Sequence, residues 1–109
     1  MTGAMSGAYF ETFVINEIIK SYSNAGREAQ IYFFRDSNDV EIDLLIFENG
    51  MLYPIEIKET SEPKPSMIKA FKLLDGLPAI KRGEGGVICL SNNLLPLKDN
   101  DKIIPLWAI

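Results

Sequence analysis

An asparagine–glycine pair between two apolar arms constrains the fold of this chain more than any other feature. Residues 40–47 and 52–58 are rich in residues that favour strands. The pair between them, Asn49-Gly50, is the strongest short-range signal for a two-residue type I′ turn. The sequence therefore predicts an antiparallel hairpin in the middle of the chain.

The predicted turn also fixes which residues face each other across the hairpin. Counting outward pairs Glu48 with Met51, Phe47 with Leu52, Leu45 with Pro54, Asp43 with Glu56, and Glu41 with Lys58. Because side chains alternate between the two faces of a sheet, the last two pairs are predicted to project from one face. Opposed carboxylates destabilise a sheet, so Asp43 and Glu56 require a compensating cation.

Length and charge limit the classes of function. The 109 residues predict a single domain over residues 7–109, preceded by a small, unpatterned segment, 1–6, read as disordered or as a cloning remnant. A chain without histidine has no histidine general base and no histidine-ligated zinc. The net charge of −4 argues against strong nonspecific binding of nucleic acid by this domain alone.

The single cysteine and the hydropathy pattern bear on the cellular setting. Cys89 lies in an apolar run and is interpreted as a core residue that cannot form an intrachain disulfide. The sequence contains no signal peptide and no apolar run long enough to span a membrane. We therefore expect a cytoplasmic protein with no membrane partner.

The first half of the chain predicts a helix followed by three antiparallel strands. Apolar residues recur at helical spacing over residues 7–24, and Glu11 falls on the same stripe as Val14 and Ile18. Glu11 is either an ordinary first-turn acid at the edge of the buried face or a functional carboxylate. A strand over residues 30–35 and a turn over 36–39 lead into the central hairpin. Its first strand is predicted to carry Val40, Ile42, Leu44 and Ile46 on one face, and Leu45 and Phe47 beside the acids on the other.

The second half predicts a crossover helix and a further strand. A helix is expected over residues 66–75, with an apolar stripe of Met67, Ala70, Phe71 and Leu74. A connector over 77–85 precedes a buried strand over 86–91. A last strand over 103–109 is assigned to a sheet edge because of Pro105, and Trp107 is assigned to core or rim packing. The predicted class is α/β, with an α-β-β-β-α-β core and a mixed sheet flanked by helices.

The acids of the hairpin suggest a specific chemistry. Asp43 and Glu56 offer hard oxygen ligands that suit Mg²⁺ or Mn²⁺. Lys58 places a positive charge where it could hold a nucleophilic water or a developing phosphate charge. Glu11 could complete the ligand set or orient a metal-bound water. Together these residues favour metal-assisted phosphodiester hydrolysis.

This pattern resembles the PD-(D/E)XK nuclease superfamily, the restriction-endonuclease-like fold. It also resembles the nuclease-like domain found C-terminal to the ATPase module of many prokaryotic AAA-type ATPases. The residues that carry the resemblance are Gly7-x-x-x-Glu11-x-x-Val14, Phe34-Arg35, Glu41-Ile42-Asp43, Ile55-Glu56-Ile57-Lys58 and Pro105-Leu106-Trp107. The proline that precedes the aspartate in the superfamily motif is replaced here by Ile42.

The resemblance implies roles and partners for these residues. Asp43 and Glu56 are expected to bind Mg²⁺ or Mn²⁺, Lys58 to act in catalysis, and Glu11 to serve as an accessory ligand. The implied partners are DNA and the ATPase module of the same full-length protein, and a homo-oligomer is left open.

Two readings of the basic residues and of the whole domain stay open at this stage. Lys64, Lys69 and Lys72 form either a solvated helix face or contacts to a phosphate backbone. Arg35 is assigned to nucleic-acid binding, with Asp36, Asp39 or a site acid as alternative partners. The alternative to an endonuclease is a catalytically inactive module for nucleic-acid or protein binding, in which Glu41 and Lys58 form an ordinary cross-strand ion pair.

Overall fold

A computed structural model describes residues 3–109, with side chains from residue 7 onward. It confirms an α/β domain with a mixed seven-stranded sheet flanked by helices. The elements are α1 (Gly3–Asn24), β1 (Ile31–Arg35), β2 (Glu41–Glu48), β3 (Met51–Ile57), a long 3₁₀ helix (Pro65–Gly76), β4 (Lys81–Arg82), β5 (Gly85–Cys89), β6 (Pro96–Lys98), β7 (Asp101–Pro105) and a short 3₁₀ helix (Leu106–Ala108). The first helix thus begins four residues before its predicted start, and the prediction for residues 1 and 2 lies outside the described residues.

The sheet combines a three-stranded antiparallel half with a parallel half. Its strand order is β1-β2-β3-β5-β7-β6, and β4 pairs with β3 off this path. The pairs β1/β2, β2/β3 and β6/β7 are antiparallel, whereas β3/β4, β3/β5 and β5/β7 are parallel. The long 3₁₀ helix lies in the connection between the parallel strands β3 and β5, as a crossover connection requires.

The predicted turn and the inner part of the hairpin register are confirmed. Asn49 and Gly50 both have positive φ, 53° and 80°, as a type I′ turn requires. The β2–β3 ladder runs from Glu48 opposite Met51 to Leu44 opposite Ile55, in the predicted register. The turn chemistry therefore determined this pairing.

A β-bulge in β2 changes which face the side chains before Leu44 point to. Strand β1 sets Tyr32 opposite Leu45 but Phe34 opposite Ile42, so β2 carries one extra residue at this point. The extra residue inverts the alternation of side chains. Ile42 therefore packs in the same cluster as Leu45, and the prediction that it shares a face with Leu44 is wrong.

The outermost predicted pairs of the hairpin are also corrected. Glu41 pairs with Arg35 of β1, both in the strand ladder and through an ion pair. Lys58 lies beyond the end of β3, and its backbone N–H donates to the carbonyl of Ile88 instead. The cross-strand ion pair between Glu41 and Lys58 is therefore not formed.

Two hydrophobic clusters cover the two faces of the sheet. Helix α1 packs on one face, through a cluster of Phe10, Val14, Ile18, Leu44, Ile55, Ile57 and Ile88. The long 3₁₀ helix packs on the other, through a cluster of Ile42, Leu45, Leu52, Ile68, Phe71, Leu74, Val87 and Cys89. Cys89 is fully buried with a free thiol, as expected of a core residue.

The second helix differs from its prediction in period. Its buried residues are Ile68, Phe71 and Leu74, one at every third position. A 3₁₀ helix has three residues per turn, so residues at i and i+3 lie directly above one another. The predicted stripe assumed the α-helical period. It correctly included Phe71 and Leu74, and Ala70 is partly buried against the same cluster, but it included the half-buried Met67 and omitted Ile68.

The C-terminal part differs from the expected edge strand. Strand β7 is not at the edge, because β6 pairs along its outer side at Asp101 and Lys102. Pro105 is tolerated because it lies beyond the end of this β6 ladder, where no hydrogen-bond donor is needed. Trp107 is 69% exposed in the short 3₁₀ helix, so the assignment to core or rim packing is wrong.

Hydropathy gives one further result for the helices. Within residues 3–109, no helix combines the length and apolar character needed to cross a membrane.

Gly85 provides a test of the packing between β5, β3 and β7. A Cβ at this position would lie 2.6 Å from Asp101 Oδ1 and 2.8 Å from the Pro54 carbonyl oxygen, which is backbone and cannot rotate away. Gly85→Ala should therefore lower the free energy of unfolding by about 1–3 kcal/mol in urea denaturation. The matched control is Gly76→Ala, where nothing lies within 4 Å. Equal unfolding midpoints for the two variants would contradict this packing.

Candidate active site

Three of the predicted site residues meet at the end of β3. The ammonium nitrogen of Lys58 lies 3.6 Å from Oε2 of Glu56 and 3.9 Å from Oδ2 of Asp43. Asp43 comes from the bulge in β2, and Glu56 and Lys58 come from β3 and the residue after it. The structure thus supplies the compensating cation that the sequence required for the acid pair.

The bulge is what brings Asp43 to this position. In the alternating pattern of an antiparallel pair, the backbone N–H of Ile57 would donate to the carbonyl of Ile42. It donates instead to Oδ2 of Asp43, at 2.8 Å. The carboxylate of Asp43 therefore replaces a backbone acceptor at the point where the β2–β3 ladder stops.

Glu56 is the most perturbed acid of the site. Only 3% of Glu56 is exposed. Burial raises the pKa of Glu56 to about 8, a hydrogen bond with Asp43 and the negative charge of Asp43 act in the same direction, and the charge of Lys58 opposes them. Glu56 is therefore protonated at neutral pH and shares its proton with Asp43, as expected when two carboxyl groups occupy one site.

Glu11 lies near this pair without touching it. It lines an open cavity of about 240 Å³ together with Asp43, Glu41 and Arg35. Burial raises the pKa of Glu11, the negative charge of Asp43 adds to the rise, and Lys58 offsets part of it. Within residues 7–109, no three acid, histidine or cysteine side chains are grouped closely enough to hold a metal ion by themselves.

The four basic residues predicted to bind nucleic acid do not form one surface. Arg35 forms an ion pair with Glu41, which was not among the predicted partners, and lines the cavity beside Glu11. Lys69 and Lys72 line a different cavity, and Lys64 is exposed just before the long 3₁₀ helix. Sequence reasoning missed the buried ion pair of Arg82 and Asp101 in that second cavity, because both residues lie in segments with no motif.

The carboxyl pair fits a hard divalent cation. Mg²⁺ commonly uses one or two protein carboxylates and fills its other positions with water and substrate phosphate oxygens. Asp43 and Glu56 supply two such groups, close enough to compete for one proton. Such a cation would depend on water or substrate oxygens to complete its shell, because no third acid joins this pair among residues 7–109.

The raised pKa of Glu56 predicts the pH dependence of stability. An acid with a raised pKa stabilises the folded state fully below its unfolded-state pKa, here 4.5, and loses that contribution as the pH rises through about 8. The expected loss within this window is about 1.4 kcal/mol per pH unit for one proton.

The comparison of wild type with Glu56→Gln isolates this contribution, because glutamine mimics the protonated acid. Urea denaturation from about pH 4 to about pH 9, a range that brackets the unfolded-state and folded-state pKa values of Glu56, should show the variant gaining stability relative to wild type as the pH rises. Parallel stability curves for the two proteins would contradict a shared proton at Glu56.

Of the comparisons with known proteins, the one with protein families gives a match. Residues 6–109 match a protein family described as "Domain of unknown function (DUF4143)". Searches of curated proteins and of solved structures give no significant match.

Proposed function

The chain belongs to the DUF4143 family, and we propose that it is a metal-dependent nuclease domain that hydrolyses phosphodiester bonds of DNA. The observation that carries the proposal is the convergence of Asp43, Glu56 and Lys58 at one end of β3. Two carboxyl groups lie beside a lysine at the border of a buried sheet, and burial together with the charge of Asp43 disfavours the charged form of Glu56. A phosphate substrate and a divalent cation together would satisfy all three groups.

The topology supports the restriction-endonuclease-like fold as part of this proposal. Three antiparallel strands, β1 to β3, follow the first helix, and a helical crossover leads to a parallel strand, β5. The two helices cover opposite faces of the sheet. This is the α-β-β-β-α-β order implied by the resemblance to the PD-(D/E)XK superfamily.

Asp43 and Glu56 are the groups that would hold Mg²⁺ or Mn²⁺. When bound, such an ion supplies Lewis-acid polarisation of the scissile phosphate and lowers the pKa of a coordinated water. Asp43 is oriented by the backbone N–H of Ile57, which donates to its Oδ2. Within this proposal Glu11, which lines the same cavity as Asp43, orients a water.

Lys58 is the proposed electrostatic catalyst. Its side chain is 43% exposed, so its ammonium reaches solvent while staying within 4 Å of both acids. From there it can hold the attacking water and stabilise the charge that builds on the phosphate oxygens. The two carboxyl groups hold the lysine ammonium near the reaction centre. Its positive charge offsets the electrostatic repulsion between the carboxylates and an anionic substrate.

The acidic net charge of the chain favours a second module that binds the DNA. A net charge of −4 gives this domain little general attraction for DNA. We therefore propose that the ATPase module of a longer protein retains the DNA. The domains that this chain resembles are found C-terminal to such a module. The domain described here would supply the hydrolytic site.

Cleavage of supercoiled plasmid DNA with Mg²⁺ or Mn²⁺ tests the activity. Asp43→Asn and Lys58→Ala should each reduce the rate by about 100-fold or more, because each removes a charge that acts on the reacting phosphate. Glu41→Gln is the matched control, since Glu41 lines the same cavity but pairs with Arg35, and its rate should stay within about twofold of wild type. Equal cleavage rates for wild type and the three variants would contradict the assignment.

Calorimetric titration with Mn²⁺ tests the metal site separately from turnover. Binding at neutral pH should release about one proton, because Glu56 must ionise to ligate, and the release is measured by repeating the titration in buffers of different ionisation enthalpy. Glu56→Gln should abolish binding. Absence of Mn²⁺ binding to the wild-type domain would instead favour the catalytically inactive binding module.

A further inference from the structure

A second cavity, separate from the carboxyl pair, lies between the long 3₁₀ helix and the turn that joins β6 to β7. Its volume is about 220 Å³. The charged residues that line it are Lys69, Lys72, Asp75, Arg82, Lys98, Asp99 and Asp101. None of the residues that line this cavity belongs to the site proposed for hydrolysis.

The 3₁₀ geometry directs two of these lysines toward the same space. Ile68, Phe71 and Leu74 form the buried ridge of the helix. The next ridge, one residue further along at each turn, ends in Asp75 and contains two lysines, Lys69 and Lys72. In a 3₁₀ helix these two side chains are eclipsed and only about 6 Å apart along the axis, at about 2.0 Å of rise per residue.

The lysines of this cavity have no acidic partner among the described residues, a property that they share with Lys64 and Lys81. Lys20, Lys58 and Lys102 each form an ion pair within the described part of the chain. The lysines of the cavity, Lys69, Lys72 and Lys98, form none within 4.0 Å, and neither do the acids Asp75 and Asp99 beside them. Counted together with Arg82 and with the three aspartates of the lining, these ammonium groups give the cavity four positive and three negative charges, a net charge of +1 in an acidic protein.

The side chain of Arg82 lines the cavity and is held in place by several contacts. The Nη2 nitrogen of Arg82 donates to both carboxylate oxygens of Asp101, at 2.6 and 2.7 Å, and Nη1 donates to the Gly83 carbonyl oxygen at 3.1 Å. The guanidinium also lies over the Phe71 ring, at 5.3 Å from its centre. These contacts neutralise the charge of Asp101 and fix the position of the guanidinium, whose Nε–H makes no hydrogen bond with the described residues.

We propose that this cavity binds a phosphoryl group. Lys69, Lys72 and Lys98 supply positive charge from two sides, and Arg82 supplies directional N–H donors from the inner wall. A tetrahedral phosphate presents several oxygens at once and so matches donors that converge from different elements. The phosphate can belong to a free phosphate or to the end or backbone of a nucleic acid, and the inference does not depend on hydrolysis at Asp43 and Glu56.

Titration with inorganic phosphate at low ionic strength, followed by ³¹P NMR or calorimetry, tests the site. The double variant Lys72→Gln/Lys98→Gln should bind phosphate at least about tenfold more weakly, the effect of losing a charge-assisted hydrogen bond. Lys72→Arg keeps the charge and should stay within about threefold of wild type. The matched control is Lys81→Gln, which removes an exposed lysine that has no ion pair and does not line the cavity.

Two short single-stranded DNAs distinguish the source of the phosphate. One carries a 5′-phosphate and the other does not. Preference for the phosphorylated strand, lost in the double variant, assigns the cavity to a phosphate monoester, whereas equal binding of both strands, also lost in that variant, assigns it to the phosphodiester backbone. The proposal is overturned if the double variant binds phosphate as tightly as wild type, or if Lys81→Gln weakens binding equally.

Discussion

The hydrogen bond from the Ile57 backbone to the Asp43 carboxylate is the contact on which the arrangement of the site depends. The bulge in β2 removes the backbone acceptor that a continuous ladder would offer, and a buried N–H without an acceptor is costly. Asp43 supplies that acceptor and is thereby held between the two strands, beside Glu56. A single irregularity in the sheet thus satisfies the backbone and creates the carboxyl pair.

Burial of Glu56 sets the chemical character of this pair. Its neighbour in the sheet is Val87, and Ile55 and Ile57 on either side of it are core residues. A carboxyl group in such surroundings keeps its proton, which relieves its repulsion from Asp43. The folded domain is therefore more stable with the pair protonated, whereas metal ligation requires the ionised pair. That opposition between stability and function is common at catalytic sites.

The long 3₁₀ helix connects the core to the second cavity. Its three-residue period separates one buried ridge, which packs on β2, β3 and β5, from an adjacent ridge that carries Lys69 and Lys72. The ion pair of Arg82 and Asp101 anchors the opposite wall, and the backbone N–H of Gly85 also donates to Asp101. The carboxyl pair and the lysine cavity are thus built from different elements around one sheet.

The Asn49-Gly50 pair is enough to predict the type I′ turn and the register from Glu48 to Leu44, and the hydropathy pattern is enough to predict the order of the main elements. These follow from local chemistry, because positive φ at Asn49-Gly50 sets the turn and the turn sets the pairing. Tertiary contacts produce the bulge that places Asp43 beside Glu56 and Lys58, the 3₁₀ period, the pairing of β6 along β7 and the exposure of Trp107. Each depends on contacts between segments distant in sequence: β1 determines where β2 bulges, and packing against the sheet determines which helical ridge is buried.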